Sequence, residues 1–243
     1  MLRPLRPARS ARESTGGEQT MNAPPSDRLL PELLLALTVV TGIVDAVSYL
    51  ALGHVFTANM TGNVVLLGFA MAGVPGLSIP RSGAALAAFV AGATIGGLLE
   101  TRMSTGPRHR WASAGFAIEA VLLLIAAAVG AGTGDGLLAN PARLYGLIAL
   151  TGLAMGMRNA VVRKLAEHDL TSTVLTSTIT AIAADASLAA GGNPRWKRRA
   201  LSVGLMFAGA AAGALLLRHS VALPVAVGGA VSGLCAVRAR RAS

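Results

Sequence analysis

Apolar residues in this chain run almost without interruption, instead of recurring with the period of a half-buried helix. Stretches of about 18 residues or more occupy about 33–52, 56–74, 82–99, 112–131, 142–162, 170–190, 200–217 and 221–237, and as helices they are long enough to cross roughly 30 Å of hydrocarbon. The pattern predicts an all-α fold, a polytopic bundle of transmembrane helices, with residues 31–238 forming a single transmembrane domain. Residues 1–30 are Arg- and Pro-rich, lack an apolar core of their own, and are expected to form a disordered cytoplasmic tail. Neither a secretory signal nor a transit peptide fits them, because there is no apolar h-region and Glu13 and Glu18 interrupt the basic stretch.

Polar residues break this pattern at one place above all. "FTANMTGN" (56–63) sets Thr57, Asn59, Thr61 and Asn63 between two long apolar runs. Irregular, polar backbone is tolerated at membrane depth only where protein buries it or where it lines a cavity. A second Thr-rich stretch, "TSTVLTSTIT" (171–180), recurs later.

The two stretches belong to an internal repeat at an offset near 114 to 117 residues. "TGIVDAV" (41–47) lies over "GMRNAV" (156–161), so Asp45 meets Asn159. "MTGN" (60–63) lies over "LTST" (175–178), and "GATIGGLL" (92–99) over "GAAAGALL" (209–216). The predicted pseudo-repeats are about 33–131 and 142–237.

Charge then separates two topologies. Eight full crossings would leave Arg102, Arg108, Arg110, Arg158, Arg163, Lys164 and Arg218 outside. If the second and sixth segments are instead re-entrant or discontinuous, all 21 Lys and Arg except Arg81, Arg143 and Arg218 are cytoplasmic, which is the stronger positive-inside bias. Each repeat then crosses three times, an odd number, so the two are inverted relative to each other.

Composition agrees, with a mean hydropathy of +0.61, 53% hydrophobic residues and only 13% charged residues, against about 25% charged in soluble domains. The net charge of +10 is spread over termini and loops, without the aromatic interleaving of a nucleic-acid face. Cys235 is the single cysteine, so no internal disulfide and no metal set follows from it. It reads as a packing residue.

"TGIVDAVSYLALGHVFTANMTGNVVLLG" resembles the N-terminal signature of the YoaK-like bacterial membrane proteins, a domain-of-unknown-function family. The resemblance covers roughly residues 30–235 and rests on Gly42, Asp45, Phe56, Asn59, Thr61, Gly62 and Asn63, with "DLTSTVLTSTIT" similar to the family's later Thr-rich stretch. It implies a multi-pass protein of the bacterial inner membrane and carries no substrate or activity with it.

The candidate substrate- or ion-binding residues are Asp45, Asn59, Thr61, Asn63, Asn159, Thr176 and Thr178. Polar groups buried together satisfy one another or bind an ion at less cost than each alone, and an intramembrane carboxylate is a functional hypothesis by default. Asp45 is expected past the midplane of its helix, where it could exchange a proton. Glu119 and Asp185 are expected near wet segment ends, and Arg158 to snorkel to cytoplasmic water or to pair with Asp45.

An enzyme is not expected. "GTGD" (132–135) matches the short GxGD pattern of intramembrane aspartyl proteases, but neither Tyr49 nor Tyr145 precedes the second Asp that such chemistry needs. No metal-ligand spacing, catalytic metal or cofactor is predicted. The expected function is a secondary transporter or permease for a small polar solute or ion, with proton coupling through Asp45; the alternative is a non-transporting scaffold or sensor. Its expected partners are membrane lipids and that solute, with no nucleic acid. The GxxxG pairs Gly92/Gly96, Gly152/Gly156 and Gly209/Gly213 offer close-packing faces through which an oligomer could form.

Overall fold

The computed structural model describes residues 25–103, 108–165, 178–180 and 194–241. Among them the elements are α1 (Pro25–Ala51), α2 (Met60–Met71), α3 (Ile79–Met103), α4 (Arg108–Gly130), a 3-10 turn (Gly134–Ala139), α5 (Pro141–Leu165), α6 (Pro194–Leu217) and α7 (Ala222–Arg241), with no strand. Pro stands at the first position of α1, α5 and α6, where its missing N–H would be unpaired anyway. Ser78, Asn140 and Ser220 accept backbone N–H bonds at the starts of α3, α5 and α7. Helix α1 begins at Pro25, so its first turn occupies the end of the stretch expected to be a tail; the remainder of that stretch, 1–24, lies outside the described residues.

Six of these helices are long and apolar enough to cross a membrane: α1, α3, α4, α5, α6 and α7. The segment expected at 56–74 instead forms the 12-residue α2, about 18 Å long and too short for the hydrocarbon core. The segment expected at 170–190 lies outside the described residues except for 178–180, which are helical.

Close contacts fix the helix directions. Gly92 packs on Leu153 and Gly96 on Met157, so α3 and α5 run parallel; Gly209 packs on Val39 and Gly213 on Ile43, so α1 and α6 do too. Helix α4 is antiparallel to α7, since Ser113 donates to the Ala236 carbonyl at 2.8 Å while Gly130 lies beside Ala222. It is antiparallel to α5 as well, with Gly115 on Val161 and Gly130 near Leu147. The short turn after Leu217 reverses α7 against α6. Hence α1 and α3 point in opposite directions, and residues 52–78 leave and re-enter the bundle at one end. Helix α5 ends, and α6 begins, at the other end.

Helices α1 and α5 are the most enclosed, while α3 and α6 turn most of their surface outward. All three GxxxG pairs are engaged within the chain: Gly92 and Gly96 on α5, Gly152 and Gly156 on α3, Gly209 and Gly213 on α1.

Candidate functional site

The first cluster is built where α1 ends. Gly53 (φ 82°) and His54 (φ 60°) turn the chain out of the helix, and a side chain at Gly53 would also run into the Arg81 guanidinium. Tyr49 stacks on Phe56 at 5.1 Å, which closes residues 52–58 back against the helix they left. The loop's backbone then needs partners, because no regular structure supplies them. Asp45, 8% exposed and about 9 Å from the end of α1, accepts from the Ala58 N–H through Oδ1 at 3.3 Å. Asn63, fully buried, accepts from the Phe56 N–H at 3.3 Å and donates through Nδ2 to the Ser82 carbonyl at 3.1 Å. Asn63 thereby ties the loop, α2 and the first turn of α3 together. Thr57 lies between these bonds with its Oγ1 buried and without a hydrogen-bond partner among the described residues.

Of the other sequence-derived candidates, Asn59 adjoins this pair through its backbone, which bonds Asp45 and Asn63. Asn59 is exposed and caps α2, its Oδ1 accepting from the Gly62 N–H at 3.2 Å. Thr61 is exposed on the first turn of α2. Asn159 is half-buried and donates to its own helix at the Met155 carbonyl, 2.8 Å away. Thr178 is half-buried, and Thr176 lies outside the described residues, as does Asp185.

A second cluster lies deeper and was not foreseen. Glu119 was expected near a wet segment end, but it is 0% exposed at the middle of the 23-residue α4. Arg158 was expected to snorkel or to pair with Asp45, but it is 2% exposed and turns into the bundle. Its Nη1 bonds Glu119 Oε1 at 3.2 Å and the Leu37 carbonyl at 3.0 Å, and its Nη2 bonds Thr41 Oγ1 at 2.7 Å. Ser232 of α7 donates to the same Glu119 Oε1 at 3.1 Å. Four helices therefore meet on one ion pair, roughly 15 Å along α1, α4 and α7 from their nearer common end. Bonds from the Leu37 carbonyl and Thr41 explain the inward turn, since they give the guanidinium partners that cytoplasmic water would otherwise supply.

The clusters adjoin. Thr41 and Asp45 are one turn apart on α1, and Arg158 is within electrostatic reach of Asp45. Together they offer carboxylate, hydroxyl, amide and guanidinium groups between helices, a set able to hold an ion or a small polar solute.

A family described as protein of unknown function (DUF1275) matches residues 33–238. The chain is also 35% identical over 158 residues to the UPF0700 transmembrane protein YoaK of Bacillus subtilis (strain 168), a match covering 64% of this chain and 66% of that relative. No solved structure matches. With the family match spanning most of its length and six helices fit to span a bilayer, the chain is a multi-pass membrane protein and belongs to the DUF1275 family.

Proposed function

We propose that this protein is a secondary transporter, or permease, of the bacterial inner membrane that moves a small polar solute or ion. The observation that carries the reading is an equivalence of contacts at the offsets of the sequence repeat. Gly42 packs on the Met206 carbonyl and the Ala210 nitrogen, and Gly156 packs on the Phe89 carbonyl and the Ala93 nitrogen. Gly213 meets Ile43 and Ala46, and Gly96 meets Met157 and Ala160. Residues 114 apart on α1 and α5 thus meet residues 117 apart on α6 and α3. Asp45 and Asn159 each stand six residues before the end of their helix.

Two three-helix units packed through the same contacts, the second entering from the opposite end, match the layout of inverted-repeat transporters. There the site lies at interrupted helices between the repeats, and the units rock about it. Asp45, Asn63 and Thr57 stand at one such interruption. The reading contains no chemical step and needs no cofactor.

The test compares solute accumulation, across a broad metabolite panel, in cells with and without the gene, followed by flux of the responding solute through reconstituted protein. Asp45→Asn should keep the Ala58 bond yet remove most of the flux or its pH dependence. A folded Asp45→Asn protein with undiminished rate and pH response would make Asp45 structural. If no solute in the panel differs, the scaffold or sensor reading takes its place.

A further inference from the structure

Among the described residues, the buried charged side chains are Asp45, Glu119 and Arg158. Two carboxylates thus stand against one guanidinium, which is paired with Glu119 and within electrostatic reach of Asp45. With all three ionised, the cluster holds one uncompensated negative charge away from water, a state that is strongly disfavoured unless the charge is paired. One further positive charge would make it neutral.

The hydrogen bonds indicate where that charge would sit. Glu119 Oε1 takes both Arg158 and Ser232, whereas Glu119 Oε2 is buried and has no partner among the described residues. A buried oxygen with free lone pairs calls for a donor or a cation. Among the described residues, the surrounding groups leave the deficit in place. Ser232 and Thr41 are neutral, Cys235 of α7 is a buried thiol within electrostatic reach of Glu119, and Arg238 is exposed toward the end of α7.

We propose that Asp45, Glu119 and Arg158 form a binding site for one monovalent positive charge, a proton or a small alkali cation, received at Glu119 Oε2. When the charge is bound, Glu119 no longer needs the guanidinium. Arg158, still anchored on Leu37 and Thr41 of α1, then has Asp45 as its remaining anion, one turn further along the same helix. Binding therefore shifts Arg158 from α4 toward α1, and release reverses the shift. The charge comes from and returns to water, and no bond other than O–H or cation–oxygen is made. The site exists whether or not a solute crosses; under the transporter reading it would supply the coupling ion.

The experiment uses the full chain in lipid nanodiscs, in choline buffer near neutral pH, by infrared difference spectroscopy, with thermal unfolding followed as sodium or potassium is added. A proton ligand gives a protonated carboxyl absorbance in the wild type that Glu119→Gln removes. A metal cation gives no such absorbance, but sodium or potassium stabilises the wild type and not Glu119→Gln. The proposal is overturned if both carboxylates are ionised with no cation effect, or if a protonated carboxyl survives Glu119→Gln and disappears only in Asp45→Asn. Should Glu119→Gln not fold, Ser232→Ala, which removes only a bond to Oε1, must shift the absorbance or the cation response; no shift also overturns it. All readouts are at equilibrium without a gradient, so a protein that moves no solute can still pass.

Discussion

Removing Arg158 alone would leave the Glu119 carboxyl at 0% exposure with Ser232 as its remaining hydrogen-bond partner among the described residues, whereas removing both charged groups leaves apolar groups that can pack. Arg158→Met should therefore cost about 3–5 kcal/mol, and Glu119→Leu/Arg158→Met should recover most of it. Reversible unfolding in mixed micelles measures both, and equal losses in the single and double variants would mean that the pair is not coupled. Asn63 and Asn59 differ in a similar way. Asn63→Leu strands the Phe56 N–H inside the protein, a loss of roughly 1–3 kcal/mol for a buried unsatisfied group, while Asn59→Ala removes an exposed cap worth about 1 kcal/mol. Asp45 and Asn63 were legible in the sequence because they are polar residues inside apolar runs. Glu119 and Arg158 were misjudged because depth was counted from the ends of those runs. Helix α4 begins at Arg108 and α5 continues to Leu165, so both residues lie farther from a helix end than hydropathy implied. Only the folded neighbours reveal that Thr41 and the Leu37 carbonyl await the guanidinium.

Between helices, spacing is set by glycine. A methyl group at Gly42 or Gly156 would meet backbone atoms of the facing helix, and backbone cannot rotate away as a side chain can. Gly42→Ala and Gly156→Ala should each cost about 1–3 kcal/mol. Gly68 and Gly97 have nothing within 4 Å of such a methyl, so alanine there should be neutral or stabilise by up to about 1 kcal/mol. The same unfolding assay decides, and equal effects at packed and open glycines would show that close approach does not govern stability. Hydropathy misread 56–74 as a full span for a related reason. It registers how apolar a stretch is but not where the helix stops, and residues 52–59 are apolar enough to extend the run although their backbone is irregular. Charge was the better guide to α2, because the stronger positive-inside bias in the sequence already required that segment, together with the sixth, not to cross.

Across the whole molecule, Arg102, Arg110, Arg163, Lys164, Arg199 and Arg240 lie at one end of the bundle, and Arg81, Arg143 and Arg218 at the other. Positive-inside bias then predicts that the first end faces the cytoplasm. Cys235 is buried and should give little background, so cysteines placed one at a time at Arg81, Arg143, Arg110 and Arg199 can be probed in intact cells with an impermeant thiol reagent. Labelling at the first two only is expected; labelling at Arg110 or Arg199 would reverse or break the topology. Which helices pair could not be read from the sequence, because a glycine face accepts many partners. In the folded chain α1 packs on α6 and α3 on α5, so each first-half helix leans on one made much later. Gly42 waits for Gly209 through 167 further residues, on the order of ten to thirty seconds at about 5–20 residues per second. Glu119 waits only 39 residues for Arg158, roughly two to eight seconds at that pace. During the longer interval α1 sits in lipid with its glycine face vacant, and α6 of another nascent copy fits it as well as its own. Crowded synthesis should therefore yield exchanged dimers, with cross-linking between cysteines at Val39 of α1 and Met206 of α6, both on that seam, joining two chains more often as expression rises.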